Sequence, residues 1–70
     1  MGNKLKKIPF ARLKGLRAEH GISMASMAKI VGISEVSYLH KENGKVDFKA
    51  SEMAILKKYF KVSADELFFS

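Results

Sequence analysis

The sequence predicts an all-α protein, a compact bundle of five helices. Apolar residues recur at helical spacing, no segment has a convincing strand pattern, and glycine or serine separates the helical runs at short intervals. Seventy residues suffice for one domain with a small core. Because 47% of the residues are hydrophobic and no tract has low complexity, we expect a folded chain.

The first predicted helix contains Phe10, Leu13 and Leu16, which recur at helical spacing. Pro9 suits its first turn, because proline has the φ angle that a helix start requires. Gly21 suits a left-handed stop behind it. Residues 1–9 are therefore assigned to an N-terminal arm and residues 10–70 to the folded domain.

Two further helices are expected near the end of the chain. The first spans about 50–60, and its apolar residues repeat along one face: Met53, Leu56 and Phe60. The second begins at the run SADE, Ser63 to Glu66, which is a capping box. Leu67 is expected to close the core from this short fifth helix.

The middle of the chain holds a second and a third helix with almost no residues between them. Ser23 and Ser34 can cap their starts, Gly32 ends the second, and Asn43-Gly44 ends the third. Two helices joined by a short turn that contains glycine form a helix-turn-helix unit. Such a unit either binds DNA or is an ordinary corner between packed helices.

The charge of the chain is +6, and its cations are concentrated near the start. Residues 1–20 hold six cations against Glu19 alone, a net charge of +5: Lys4, Lys6, Lys7, Arg12, Lys14 and Arg17. Clustered cations suit a phosphate backbone or another anionic surface. The alternative is a small protein that simply carries surplus lysine. The arm of residues 1–9 is accordingly predicted to be basic.

Several classes of protein do not fit the sequence. Without cysteine there is no disulfide framework or thiolate site, and His20 and His40 lie twenty residues apart with no obvious third metal ligand. No catalytic cluster, metal-spaced carboxylate pair or phosphate loop appears. We therefore expect no metal, no cofactor and no enzyme activity. No apolar run has membrane-spanning length and no signal peptide is recognisable, so we expect a soluble, cytoplasmic protein.

Residues 10–68 resemble the Cro/repressor-type (XRE) family of helix-turn-helix regulators, particularly short regulators from phages and mobile elements of Gram-positive bacteria. The order and spacing of four stretches carry the resemblance: RLKGLRAEHGIS, MAKIVGIS, SY followed by KENGK, and FKVSADELF. The resemblance implies a lambda-repressor-like fold and a repressor-like regulator that binds an operator in double-stranded DNA. The alternative is a protein-interaction module of antitoxin or anti-repressor type on the same fold.

Two residues depart from the pattern of this family. Met24 stands where glutamine commonly opens the second helix, and Lys41 stands at a position that is often apolar. Lys41 therefore predicts a more exposed end of the third helix. Seventy residues leave no room for a separate effector-binding domain, which favours a Cro-like regulator or a DNA-binding domain by itself.

The resemblance implies that the third helix, residues 34–42, enters the major groove and reads bases with Glu35, Val36 and His40. Ser37 also has suitable chemistry. A carboxylate can accept a hydrogen bond from cytosine, valine can contact a thymine methyl group, and serine or histidine can donate to purines. Glu35 has an alternative role, because an acidic residue also stabilises a helix N-terminus.

Phosphate contacts are predicted for residues at helix ends and turns: Ser23, Asn43, Lys45 and Arg17. Lys45 could instead be an ordinary solvated lysine. By resemblance, Arg17 and Glu42 form a partly buried ion pair that joins the first helix to the end of the third. Adjacent Phe68 and Phe69 point in different directions on a short helix, so we do not expect a monomer this small to bury both rings. An exposed aromatic ring often marks a contact surface, which predicts a weak, symmetric homodimer through this segment. Alternatively, Phe68 caps the core and Phe69 is incidentally exposed.

Overall fold

The structure, a computed structural model, describes residues 10–69, with the exception of the Phe69 side chain. Within these residues there are five helices: α1 (Ala11–Glu19), α2 (Met24–Val31), α3 (Glu35–Glu42), α4 (Ala50–Phe60) and a short π-helical turn, α5 (Asp65–Phe69). Residues 10–69 contain no strand, so the all-α prediction is confirmed. The predicted basic arm and Pro9 lie outside the described residues.

Two serine caps and one glycine shape the helix-turn-helix unit, with Ser23 before α2 and Gly32 and Ser34 in the bend between α2 and α3. The hydroxyls of Ser23 and Ser34 each accept a hydrogen bond from the backbone amide three residues later, both at 3.1 Å. Gly32 has a φ of 89°, and its amide donates to the Ala28 carbonyl at 2.7 Å. A Cβ on Gly32 would meet no atom within 4 Å, so the backbone angle is what requires glycine.

The core receives side chains from every helix and from the loop before α4. Its buried hydrophobic residues are Leu13, Leu16, Met27, Ala28, Val31, Tyr38, Phe48, Leu56, Phe60, Leu67 and Phe68. Helices α2 and α3 pack against each other, α4 packs on α2, and α5 closes the bundle against α1. This arrangement leaves one side of α3 without a covering helix among residues 10–69.

An aromatic cluster joins both ends of the described chain to its middle. The ring of Phe68 lies 5.5 Å from that of Phe10 and 5.6 Å from that of Phe48, and Phe48 lies 6.0 Å from Tyr38. Rings at these separations attract each other in addition to burying apolar surface. The cluster therefore anchors the start of α1, the loop before α4 and α5 together.

The position of Phe68 corrects its predicted role between two copies of the chain. Its side chain is only 8% exposed, because it fills the space between Phe10 and Phe48. Since Phe68 belongs to the core of the monomer, it is not available for a surface contact. The side chain of Phe69 lies outside the described residues, so its part in an interface stays a prediction.

Two adjacent residues of α4 differ in burial and so mark the boundary of the core. Leu56 is fully buried, whereas Ile55 is 37% exposed. We expect Leu56→Ala to lower the free energy of unfolding by about 2–5 kcal/mol, because the truncation leaves a cavity. Ile55→Ala should cost less than about 1 kcal/mol. Urea unfolding followed by circular dichroism measures both, and equal losses would contradict this description of the core.

Candidate nucleic-acid interface

Helix α3 has one buried side and one free side. Tyr38 and Glu42 are fully buried and face the core. Because a helix makes one turn in about 3.6 residues, Val36 and His40 point away from them, one turn apart on the outer side. Val36 is 63% exposed, and His40 is half-buried. The centre of the free side thus consists of an aliphatic and an imidazole side chain.

Three residues border this centre, and all of them are exposed. Glu35 lies in the first turn of α3, where its charge suits the helix dipole. Ser37 accepts a hydrogen bond from the Ser34 hydroxyl at 3.0 Å, which leaves the proton of Ser37 available for another acceptor. Leu39 is 38% exposed and was not among the predicted base-reading residues. The four predicted base-reading residues and Leu39 are therefore all accessible at least in part, with Val36 and His40 at the centre of the free side and Glu35 at the start of the helix, in line with Tyr38 and Glu42.

The buried side of α3 is held by a polar network around the carboxylate of Glu42. Arg17 donates to Glu42 through Nε at 2.8 Å and through Nη2 at 3.2 Å, and the Tyr38 hydroxyl donates at 2.8 Å. Arg17 also donates through Nη1 to the Ile22 carbonyl at 3.0 Å. The pair of Arg17 and Glu42 thus joins α1 to the end of α3.

The ionisation of this network follows from its contacts. The hydrogen bond to Glu42 raises the pKa of Arg17. Burial raises the pKa of Tyr38, and its hydrogen bond to Glu42 raises it further. Arg17 therefore stays charged and Tyr38 stays protonated. Three guanidinium N–H groups are engaged, so two of the five remain for the phosphate contact predicted for Arg17.

Lys41 lies inside the structure, which corrects the expected exposure of this end of α3. It is 8% exposed, and its Nζ lies 2.6 Å from Oε1 of Glu52, a residue in the first turn of α4. Burial alone would raise the pKa of Glu52, but hydrogen bonds from Lys41 and from the Lys49 amide lower it. The aliphatic stem of Lys41 takes the place of an apolar side chain, and the buried carboxylate of Glu52 compensates its charge.

The predicted phosphate-binding residues lie at helix ends. Ser23 caps the start of α2, Asn43 ends α3, and Lys45 is exposed in the loop that follows. Arg17 lies in the last turn of α1, and its side chain contacts Ile22 and Glu42. All four residues therefore lie near the ends of the helix-turn-helix unit. Their contacts with phosphate stay a prediction.

Two cations of the predicted N-terminal cluster are members of ion pairs. In the first twenty residues, Arg12 and Arg17 form ion pairs with Glu66 and Glu42, at 2.7 and 2.8 Å. Lys4, Lys6 and Lys7 lie outside the described residues. Further along the chain, three lysines line a shallow cleft at the end of α4: Lys57, Lys58 and Lys61. Positive charge on residues 10–69 is therefore spread over several surfaces.

Residues 10–69 contain no group of three potential metal ligands among histidine, cysteine, aspartate and glutamate. The ring of His20 instead packs against Phe60, with centroids 5.4 Å apart. No helix within the same residues is long and apolar enough to cross a membrane.

Two capped helices, a tight turn at Gly32 and an outer helix side left free define a helix-turn-helix protein. A helix-turn-helix family model matches residues 13–67. The chain belongs to this family, in its Cro/repressor (XRE) type, which consists of DNA-binding transcriptional regulators rather than enzymes. The predicted family and general function are thereby confirmed.

Solved structures of several regulators share this fold. The P22 c2 repressor, in complex with synthetic operator 9T, is 23% identical with a TM-score of 0.78, over 91% of this chain and 97% of that one. The restriction-modification controller C.AhdI from Aeromonas hydrophila is 24% identical with a TM-score of 0.70, over 81% and 86%. A transcriptional regulator from Listeria innocua is 25% identical with a TM-score of 0.78, over 89% and 59%. Among curated protein sequences, none matches significantly.

The network around Glu42 can be tested by removing its cation. We expect Arg17→Met to lower the free energy of unfolding by about 3–5 kcal/mol, because Glu42 then remains buried without its partner. The matched control is Arg12→Met, which breaks a pair whose side chains are 43% and 40% exposed. That change should cost no more than about 1 kcal/mol. Similar losses in urea unfolding of both variants would contradict a special role for the buried pair.

Proposed function

We propose that this regulator binds a specific operator by placing α3 in the major groove of double-stranded DNA. The observation that carries the proposal is the division of α3 into two sides. Buried Tyr38 and Glu42 hold one side, while Val36 and His40 are directed outward. A helix fits the major groove, where each base pair presents its own pattern of donors, acceptors and methyl groups. We assign this activity to the cytoplasm, where operator DNA is found.

The free side of α3 has distinct chemistry for base recognition. Glu35 can accept a hydrogen bond from the N4 group of cytosine, and Ser37 or His40 can donate to purine acceptors. Val36 can contact a thymine methyl group, and exposed Leu39 offers a second aliphatic contact beside it. These properties favour an operator half-site with both a cytosine and a thymine within reach of α3.

Affinity for the DNA backbone has to come from outside the free side of α3. Glu35 is negative, and the only lysine of α3, Lys41, is buried against Glu52. We assign phosphate contacts to Ser23, Asn43, Lys45 and Arg17, which lie at the ends of the helix-turn-helix unit. Contacts of this kind fix the orientation of a protein on the duplex, whereas base contacts supply the specificity.

A weak homodimer would extend recognition to a complete operator. One α3 covers only a short half-site, and two copies can reach successive major grooves about 34 Å apart. Because Phe68 is in the core, Phe69 is the aromatic residue of α5 that we assign to the contact. The likeness of the fold to the P22 c2 repressor supports repressor-like action, in which the bound protein occupies an operator.

Binding should weaken steeply as the salt concentration rises. For about six phosphate contacts, counterion release predicts a slope of log K against log salt of roughly −5. Fluorescence anisotropy with a site selected from random DNA measures the slope. A slope near zero at moderate salt would contradict DNA binding through the phosphate backbone.

Base-reading and phosphate-binding residues should differ in their effects on selectivity. We expect Glu35→Gln and His40→Ala to change the preferred base pairs, because removing one good hydrogen-bonded base contact costs about 1–3 kcal/mol of discrimination. Lys45→Ala should weaken binding to all sequences alike. Selection of sites from random DNA with each variant measures this difference. An unchanged selected site for both Glu35→Gln and His40→Ala would refute the assignment of α3.

The assignment of Phe69 predicts a separable effect on assembly. We expect Phe69→Asp to retain the helical content and to reduce cooperative binding to a two-fold symmetric operator. Ile55→Asp, at an exposed position of α4, is the matched control for an added surface charge. Sedimentation and binding to half and full operators measure both variants. Unchanged assembly and unchanged operator binding of Phe69→Asp would exclude this segment from the interface.

A further inference from the structure

A buried ion pair closes the base of the loop between α3 and α4, residues 43–49. Lys41 lies in the last turn of α3 and Glu52 in the first turn of α4, with 2.6 Å between Nζ and Oε1. Lys41 is 8% exposed and Glu52 is 6% exposed. The same oxygen of Glu52 accepts a hydrogen bond from the Lys49 amide at 2.8 Å. One carboxylate thus holds the end of α3 and the end of the loop.

The first half of the loop is also tied to α3. The Lys45 amide donates to the His40 carbonyl at 2.9 Å, and the Gly44 amide donates to the Lys41 carbonyl at 3.0 Å. Gly44 has a φ of 80°, which lets the chain turn back at this point. Phe48 is 4% exposed and anchors the second half in the aromatic cluster. The exposed part of the loop is residues 45–47, together with Lys49 just before α4.

A gain in the stability of the protein does not by itself explain why this ion pair is present. Buried ion pairs generally add little net stability compared with apolar residues of similar volume, because both charges lose their hydration. A charge-assisted hydrogen bond nevertheless demands a particular distance and direction, whereas an apolar contact tolerates sliding. The pair of Lys41 and Glu52 therefore restricts how the end of α3 can lie relative to α4.

We propose that the ion pair of Lys41 and Glu52 positions the loop of residues 43–49, so that Lys45 meets the DNA backbone from a fixed place beside α3. Lys41 and Glu52 are positioning residues here, and Lys45 makes the contact. The inference rests on the proposed function and adds what determines the position of the phosphate contact made by Lys45. A loop held in advance loses less conformational freedom when it binds, which strengthens the contact it carries.

The test compares Lys45→Ala in two backgrounds, the natural protein and Lys41→Met/Glu52→Gln. Methionine retains the volume of the lysine stem, and glutamine retains an acceptor for the Lys49 amide. In the natural background, Lys45→Ala should make the salt slope shallower by about 0.9, the share of one phosphate contact. In the background without the ion pair, the change should be less than half of this, because the loop no longer presents Lys45.

A matched control removes an ion pair away from the loop. Arg12→Met/Glu66→Gln breaks the pair between α1 and α5, and Lys45→Ala should keep its full effect there. Hydrogen exchange supplies a second measurement, in which the amide of Lys45 exchanges faster once the Lys41–Glu52 pair is removed. If the double variant fails to fold, Lys41→Leu/Glu52→Gln, which likewise leaves no buried charge, takes its place in both measurements.

Each outcome decides for or against the positioning role. An equal effect of Lys45→Ala on the salt slope in both backgrounds would overturn it, as would disappearance of the effect in the Arg12/Glu66 control. If the natural protein selects no DNA sequence, the proposed function fails by itself. Hydrogen exchange then tests the loop separately, and unchanged exchange at the Lys45 amide would overturn the positioning role as well.

Discussion

The rest of the structure depends on the hydrogen bonds that hold the buried carboxylate of Glu42. It is fully buried, receives two hydrogen bonds from Arg17 and one from Tyr38, and lies in the last turn of α3. The backbone carbonyl of the same residue accepts from the Phe10 amide at 3.0 Å, just before α1. A single residue thus ties α3 to both ends of α1. A buried charge tolerates little displacement from its partners, so the orientation of α3 is restricted.

This anchoring separates packing from recognition within one short helix. Tyr38, Lys41 and Glu42 face inward and take part in ion pairs or hydrogen bonds, while Glu35, Val36 and Leu39 are exposed. Substitutions on the outer side can therefore alter the chemistry presented to DNA without disturbing the polar contacts that hold the helix. Helix α3 also has no exposed lysine or arginine, so attraction to phosphate comes from other segments. This agrees with the separation of packing from recognition.

The two buried ion pairs act at different places on α3. Arg17 and Glu42 determine how α3 lies against α1, whereas Lys41 and Glu52 connect its last turn to the first turn of α4. In both pairs the acid is more deeply buried than in the exposed pair of Arg12 and Glu66. The helix and its following loop are thus held from two sides by directional contacts, which an apolar core alone does not supply.

The sequence by itself determined the helix order and the bend between α2 and α3. Serine caps and left-handed glycines act on their own neighbours, so Ser23, Ser34 and Gly32 could be interpreted without knowledge of the packing. The Arg17–Glu42 pair came from a family resemblance, since 25 residues separate its members. Only the tertiary structure decided that Lys41 and Phe68 are buried and that Leu39 is exposed. Burial depends on which distant residues arrive beside a side chain, such as Glu52 beside Lys41 or Phe10 beside Phe68, and local spacing does not contain that information.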